Sequence, residues 1–203
     1  MGRRSDHTRD ELYDMALSAA REIVETEGPR GLTVRRIASR IGYSSGTLYN
    51  VFENLDDLIV HLNGSTLDSL RETLEGEPVD QEPEAAARGL VDRYVRFTRN
   101  HPELWSLMFD HHLPAGQELP AWHHEKIRRL LGLMEQALSP LFPAGHEAER
   151  LHAARVIWSS LHGICSLERA GKLGKTESVK ALSESLVANY LAGLRYRMGS
   201  PVD

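Results

Sequence analysis

Residues 32–52 read LTVRRIASRIGYSSGTLYNVF. Two short amphipathic helices joined by a glycine turn account for this pattern. Val34, Ile37, Ala38 and Ile41 recur at i, i+3, i+4 and i+7, which predicts a first helix over about 34–41. Thr33 stands at its N-cap position, where a hydroxyl accepts from an unpaired backbone N–H. Gly42 stops it, because glycine tolerates the left-handed conformation of a helix C-cap. Ser44 or Ser45 starts the second helix, with Leu48 and Phe52 four residues apart on one face. The opposite face carries Ser45, Gly46, Thr47, Tyr49 and Asn50, which are small or hydrogen-bonding residues of the kind a helix presents when it enters the DNA major groove. The stretch predicts a helix-turn-helix.

Outward from it the chain is patterned as helix almost throughout. A helix over about 8–27 places Leu12, Ala16, Ala19 and Ile23 on one face and ends at Gly28, Pro29 and Gly31. A longer one opens after Asn54, a candidate N-cap, with Asp56 and Asp57 at the positive end of its dipole, and fades near Gly76. EGEPVDQEPE (75–84) is acidic, proline-containing and poor in apolar residues, so it reads as a connector. Helices over about 84–99, 104–109, 121–138, 147–170 and 177–198 follow. They are separated by His101-Pro102, the loop HHLPAGQELP (111–120), Pro140 with Pro143, and GKLGK (171–175). No strand pattern and no repeat is visible. The expectation is an all-α chain with an N-terminal three-helix DNA-binding domain over residues 1–52 and a larger helical body over 53–203.

Composition narrows the function classes. The chain has 203 residues, 41% of them hydrophobic, enough for a small head and a larger body. Net charge is −5, but residues 1–52 hold eight arginines against seven carboxylates, so the acidic excess falls on the remainder. A weakly basic end on an acidic body suits a site-specific DNA binder better than a non-specific one. Cys165 is the single cysteine, which excludes an internal disulfide and a four-cysteine zinc site. The opening MGRRSDHTRD lacks the apolar run of a secretory signal, Asp6 breaks the myristoylation pattern, and no run approaches a membrane span. A cytoplasmic protein with no membrane association and no cofactor is expected.

With the pattern T-V-x-x-I-A-x-x-x-G-x-S-x-G-T-L-Y-x-x-F over Thr33 to Phe52, followed by ENLDDLI, the N-terminal region resembles the DNA-binding domain of TetR-family transcriptional regulators. Trp158-Ser-Ser-Leu-His162-Gly163 is similar to the W-x-x-x-H-G signature of one C-terminal subgroup of that family. The resemblance implies a ligand-responsive repressor that binds a double-stranded DNA operator as a homodimer. It also implies that Tyr49 meets the DNA backbone. Family members commonly place a lysine at the start of the fourth helix, on a phosphate; here that position is Leu55, beside Glu53, Asp56 and Asp57.

Candidate DNA contacts are Thr33, Arg35, Arg36, Ser44, Ser45, Gly46, Thr47, Tyr49 and Asn50. For Ser45, Thr47 and Asn50 the alternative is a plain solvated face, and for Ser44 a helix cap. Gly46 fits either close approach to DNA or crowding between helices. Arg35 and Arg36 oppose the dipole of their own helix, as a phosphate-binding surface would, though ordinary surface arginines remain open. Arg3 and Arg4 form a short basic arm suited to a minor groove, with a plain basic tail as the equal alternative. In the body, Tyr94, Phe97, Trp105, Met108, Phe109, His112, Trp122, Met134, Trp158 and His162 are candidates to line a pocket for a small apolar effector, with ordinary core packing as the alternative. Trp105, Phe109, Trp122, Trp158 and His162 are expected to face one cavity. The last two helices are expected to pair the dimer through Leu161, Ile164 and Leu167 and through Leu182, Leu186, Tyr190 and Leu194, with Ser160 and Gly163 allowing close approach. Two other classes compete. A helix-turn-helix scaffold regulated by a protein partner would need no cavity. A small metal-dependent helical enzyme would use His111-His112 and His123-His124, yet Arg128 stands where an HExxH site beginning at His124 needs its second histidine, and no nucleophile, base and orienting group are gathered in one neighbourhood.

Overall fold

The computed structural model describes residues 7–75, 82–174 and 176–199. Among these residues the helices are α1 (Arg9–Glu27), α2 (Val34–Arg40), α3 (Ser45–Leu48), α4 (Leu55–Glu75), α5 (Pro83–Asn100), α6 (Pro102–Asp110), α7 (Ala121–Leu138), α8 (Glu147–Arg169) and α9 (Val179–Gly199), with single 3₁₀ turns at Pro29–Gly31 and Ser139–Leu141. No strand occurs among the described residues. The all-α fold expected from the periodicity is the fold observed. Arg3, Arg4 and most of the acidic connector lie outside the described residues.

Contacts gather the chain into two compact units, each built from two stretches of sequence. The first comprises Met1–Asp68 with His101–His124, the second Ser69–Asn100 with Glu125–Asp203. This grouping differs from a division at residues 52 and 53. The reason is α6, which packs on α1 and sends Leu104 and Leu107 into the core of the first unit.

In the first unit, α1 begins with a reciprocal cap. The Glu11 N–H donates to Thr8 Oγ1 at 3.2 Å, and the Thr8 N–H donates back to the Glu11 carboxylate at 2.6 Å. That carboxylate is held below its ordinary pKa by the Thr8 backbone and hydroxyl bonds. The buried face is Leu12, Ala16, Ala19 and Ile23, as the periodicity predicts, widened by Ala20 and Val24. Against it lie Ile37 and Ala38 of α2, Leu48 and Phe52, and Leu58 and Leu62 of α4.

In the second unit, α9 packs on α5 and α8. Tyr94 and Phe97 of α5 are buried, and the Tyr94 ring meets Trp158 of α8 edge-on at 4.9 Å. Cys165 is buried, which pushes its thiol up to about 11, so it is a protonated core side chain at neutral pH. Of the expected dimer residues, Leu161 and Leu194 are buried within the protomer, whereas Ile164, Leu182, Leu186 and Tyr190 are half-buried and Leu167 is exposed. The first two are therefore consumed by packing inside one chain.

An ion cluster ties the start of α5 to the end of α9. Arg195 donates to Glu84 at 3.1 Å and to Glu82 at 3.2 Å, and Arg88 donates to Glu84 at 2.8 Å. The bonds from Arg88, then from Arg195, hold the Glu84 carboxyl below the usual glutamate range. A lowered folded-state pKa makes the ionised form the stabilising one, so the contribution is complete above the ordinary glutamate range and fades as pH falls through the folded value. The site is solvent-exposed and its effect is small. Arg195→Met should lower the urea midpoint modestly at pH 7 and by less at pH 3. An equal loss at both values would mean that the arginine acts through its aliphatic stem.

Candidate nucleic-acid interface

The two helices of the motif are fixed by their ends. Thr33 caps α2, its Oγ1 accepting from the Arg36 N–H at 3.3 Å. After Ile41 the chain turns at Gly42, whose φ of 78° excludes most other residues. The Tyr43 N–H donates to the Ala38 carbonyl at 2.9 Å and the Gly42 N–H to the Ser39 carbonyl at 3.2 Å, the paired bonds of a Schellman stop. Ser44 then caps α3, accepting from the Thr47 N–H at 3.3 Å, and its hydroxyl lies 3.1 Å from that of Thr47. The capping reading of Ser44 is thus met in the structure.

α3 is a single turn, shorter than expected. Its C-terminal side continues as turns, with the Val51 and Phe52 N–H groups both donating to the Leu48 carbonyl at 2.9 Å. Arg9 of α1 secures this end by donating to the carbonyls of Asn50 at 3.3 Å and Val51 at 3.2 Å. His7 and the Tyr43 hydroxyl, 2.6 Å apart, tie the start of the unit to the turn. These braces join residues more than thirty-five positions apart, and no local pattern signals them.

The outward face is then left clear. Tyr49 is 55% exposed. Its hydroxyl has no partner among the described residues, and neither does the amide of the exposed Asn50. A Cβ at Gly46 would meet only Ser44 Oγ, at an ordinary 3.7 Å. Crowding between helices therefore gives no reason for a glycine there. Ser45 and Thr47 are half-buried.

The arginines divide. Arg35 is exposed and unpartnered among the described residues. Arg36 is bound by the Glu27 carboxylate and by the Gly31 carbonyl at 3.2 Å, and Arg40 lies 3.3 Å from Glu22. Arg36 and Arg40 thus brace α2 against α1. At the start of α4, Asn54 Oδ1 accepts from the Asp57 N–H and Asp57 Oδ2 from the Glu53 N–H, each at 2.9 Å. Leu55 packs partly buried on the core, so the residue that replaces the expected lysine serves the fold.

The candidate effector residues are distributed over both units. In the second, Tyr94, Met134 and Trp158 line a cleft among α5, α7 and α8 whose walls are wholly apolar or aromatic, with a void of ≈ 20 Å³. In the first, Trp122 lines an open cleft of ≈ 420 Å³. Neither cleft gathers the whole set. Phe97 is buried outside both, and His162 bonds Ser166 of its own helix at 3.3 Å. Trp105 is buried against Phe109 at 5.4 Å, while Met108 and the exposed His112 belong with them to α6 and its following loop. The two clefts do not gather Trp105, Phe109, Trp122, Trp158 and His162, the residues expected to face one cavity; Trp105 and Phe109 stand on α6, which packs on α1.

A three-helix head with a capped two-helix motif and an unobstructed polar face defines a helix-turn-helix DNA-binding protein. The family model of bacterial regulatory proteins of the tetR family matches residues 16–62, and that of the tetracyclin repressor-like C-terminal domain matches residues 87–190. The chain belongs to the TetR family of transcriptional regulators, and it is a DNA-binding regulator rather than an enzyme. An uncharacterised HTH-type transcriptional regulator of Mycobacterium tuberculosis is 24% identical over 191 residues, covering 94% of this chain and 83% of its own. A solved protein of unknown function from Rhodococcus sp. RHA1 superposes with a TM-score of 0.75 at 23% identity, covering 96% of this chain and 100% of that one. Thermus thermophilus FadR, a TetR-family repressor in complex with lauroyl-CoA, does so with a TM-score of 0.65 at 19% identity, covering 89% and 94%. Among the described residues no helix is long and apolar enough to cross a membrane.

Two sets of variants test the interface. Gly46→Ala should leave thermal stability equal or slightly raised, since alanine is the better helix former, yet weaken specific DNA binding in an anisotropy titration. Tyr49→Phe should weaken it about tenfold, the scale of one hydrogen bond to a charged group, with an unchanged circular dichroism spectrum; loss of helix instead would make Tyr49 a core residue. Leu55→Lys should tighten binding to all sequences and steepen the dependence of log K on log salt by about one unit. An unchanged slope would place the start of α4 away from the phosphates.

Proposed function

We propose that this regulator is a repressor that binds its operator as a homodimer and is released by a small apolar effector. The observation that carries the DNA contact is the exposed, unpartnered Tyr49 beside Asn50 and the side-chain-free Gly46. In this reading Thr33, Ser44, Ser45 and Thr47 support or join that contact, and Arg35 adds a phosphate ligand. The dimer forms through the half-buried and exposed residues of the last two helices, Ile164, Leu167, Leu182, Leu186 and Tyr190. A Cβ at Gly163 would meet nothing within 4 Å, so that helix surface admits a close neighbour. Two heads about 34 Å apart then read successive major grooves on one face of the DNA.

The effector enters the second unit among Leu90, Tyr94, Met134 and Trp158. Its apolar walls favour a hydrocarbon chain, and a solved structure of similar fold holds lauroyl-CoA. The void has room for about one water, so an acyl chain must displace side chains, Trp158 foremost. The reading therefore requires binding to favour an opened state of the body over the closed one by about 1–3 kcal/mol for DNA to be released. The same small void favours a second reading, in which a protein partner regulates the head and no cavity is used.

Lauroyl-CoA separates the two. It should quench tryptophan fluorescence and release the protein from an upstream DNA fragment in a mobility shift, and Trp158→Ala should blunt that release more than it changes DNA affinity without ligand. Saturating lauroyl-CoA with no quenching and no release would end the acyl reading and favour the protein partner.

A further inference from the structure

The open cleft of the first unit is unused by the functions above. It lies beside the first turns of α4, with the loop after α6 and the start of α7 as its other walls, and it holds ≈ 420 Å³. That volume suits a small organic ligand. One wall is aromatic, with Trp122 stacked on His61 at 5.0 Å and 19°. The pair is held from behind, because the Tyr13 hydroxyl and His61 Nδ1 are 3.0 Å apart and His61 Nε2 lies 3.5 Å from Asp57 Oδ1. Leu113 adds an apolar surface. The charged lining residues are Glu53, Asp57 and Glu118, with no arginine or lysine among the lining. The Glu53 and Glu118 carboxylates have no hydrogen-bond or ion-pair partner among the described residues. Two carboxylates left without a counter-ion, at a cleft of mostly polar lining whose apolar patches are Trp122 and Leu113, are the complement of a cation that carries its own apolar body.

We propose that this cleft binds an organic cation, with the cationic centre between Glu53 and Glu118 and its apolar groups against Trp122 and Leu113. The site is distinct from the acyl cleft in its walls, its charge and its residues. An acyl-CoA, which is anionic, is disfavoured here by the same carboxylates.

Tetraphenylphosphonium chloride, titrated calorimetrically into the full-length protein, tests the assignment against neutral triphenylphosphine oxide. The cation should bind saturably and about tenfold or more tighter than the neutral compound, and the affinity should fall with salt. The double variant Glu53→Gln, Glu118→Gln should reduce cation affinity about tenfold and leave the neutral compound unaffected. Trp122→Leu should weaken both. If that variant does not fold, the glutamine variant, whose changes are at exposed positions, carries the test alone. Trp158→Ala should leave cation binding unchanged, so failure of the acyl reading is separable from failure of this one. Equal binding of cation and neutral compound, no saturable binding at millimolar cation, or full cation affinity in the glutamine variant would each overturn the proposal.

Discussion

The placement of α3 depends on two buried side chains. A single helical turn has no stability of its own in water, so nothing in its backbone fixes where its polar face points. Leu48 and Phe52, 2% and 3% exposed, supply that constraint. Each contributes about 1.5–3 kcal/mol by leaving water. The Phe52 ring also stacks on Tyr13 at 5.3 Å and 21°. Once these two are seated, Tyr49 and Asn50 have only the outward direction left. The hydrogen bonds from Arg9 to the last carbonyls hold the far end in register. The outward polar face is set by the face buried in the head.

The pattern that made this legible is local. A period of 3.6 with Thr33 and Ser44 as caps and Gly42 as a stop is written within twenty residues, and the structure follows it at α2, at the turn and at the start of α3, though α3 ends a turn early at Leu48. Thr8 and Glu11 also form a reciprocal cap, a T-x-x-E pattern that the periodicity does not register. Two kinds of feature were not legible. Braces such as Arg9 to Asn50 and Arg36 to Glu27 join distant residues through polar atoms, and periodicity carries no information on them. The second is the partner of an amphipathic helix. The apolar residues of α6 announce that it is buried but not what it is buried against. Trp105 and Phe109 therefore read as pocket residues although they lie on the helix that closes the head. Tyr94, Met134 and Trp158 do meet at one cleft because α5, α7 and α8 pack in the same unit.

The head's electrostatics follow the same economy. Seven carboxylates against eight arginines leave almost no net charge on residues 1–52. Yet Glu22 and Glu27 are paired with Arg40 and Arg36. Of the motif's three exposed arginines, Arg35 alone has no partner among the described residues, and it stands beside neutral hydrogen-bonding groups. A surface of this kind draws little on general phosphate attraction and more on matched contacts, which favours discrimination between sequences over tight binding to any.

The insertion of α6 in the core of the head also orders events in synthesis. Leu104 and Leu107 emerge from the ribosome well after Leu62, the last residue of α4 in the core of the head. Until they arrive, α1 lacks the part of its cover that α6 supplies. A nascent chain released or cut before residue 110 would carry the complete reading motif on an unfinished core, with an apolar surface open to aggregation or chaperone capture. The same geometry limits modular exchange: a head grafted to another body by the motif alone leaves its own lid behind.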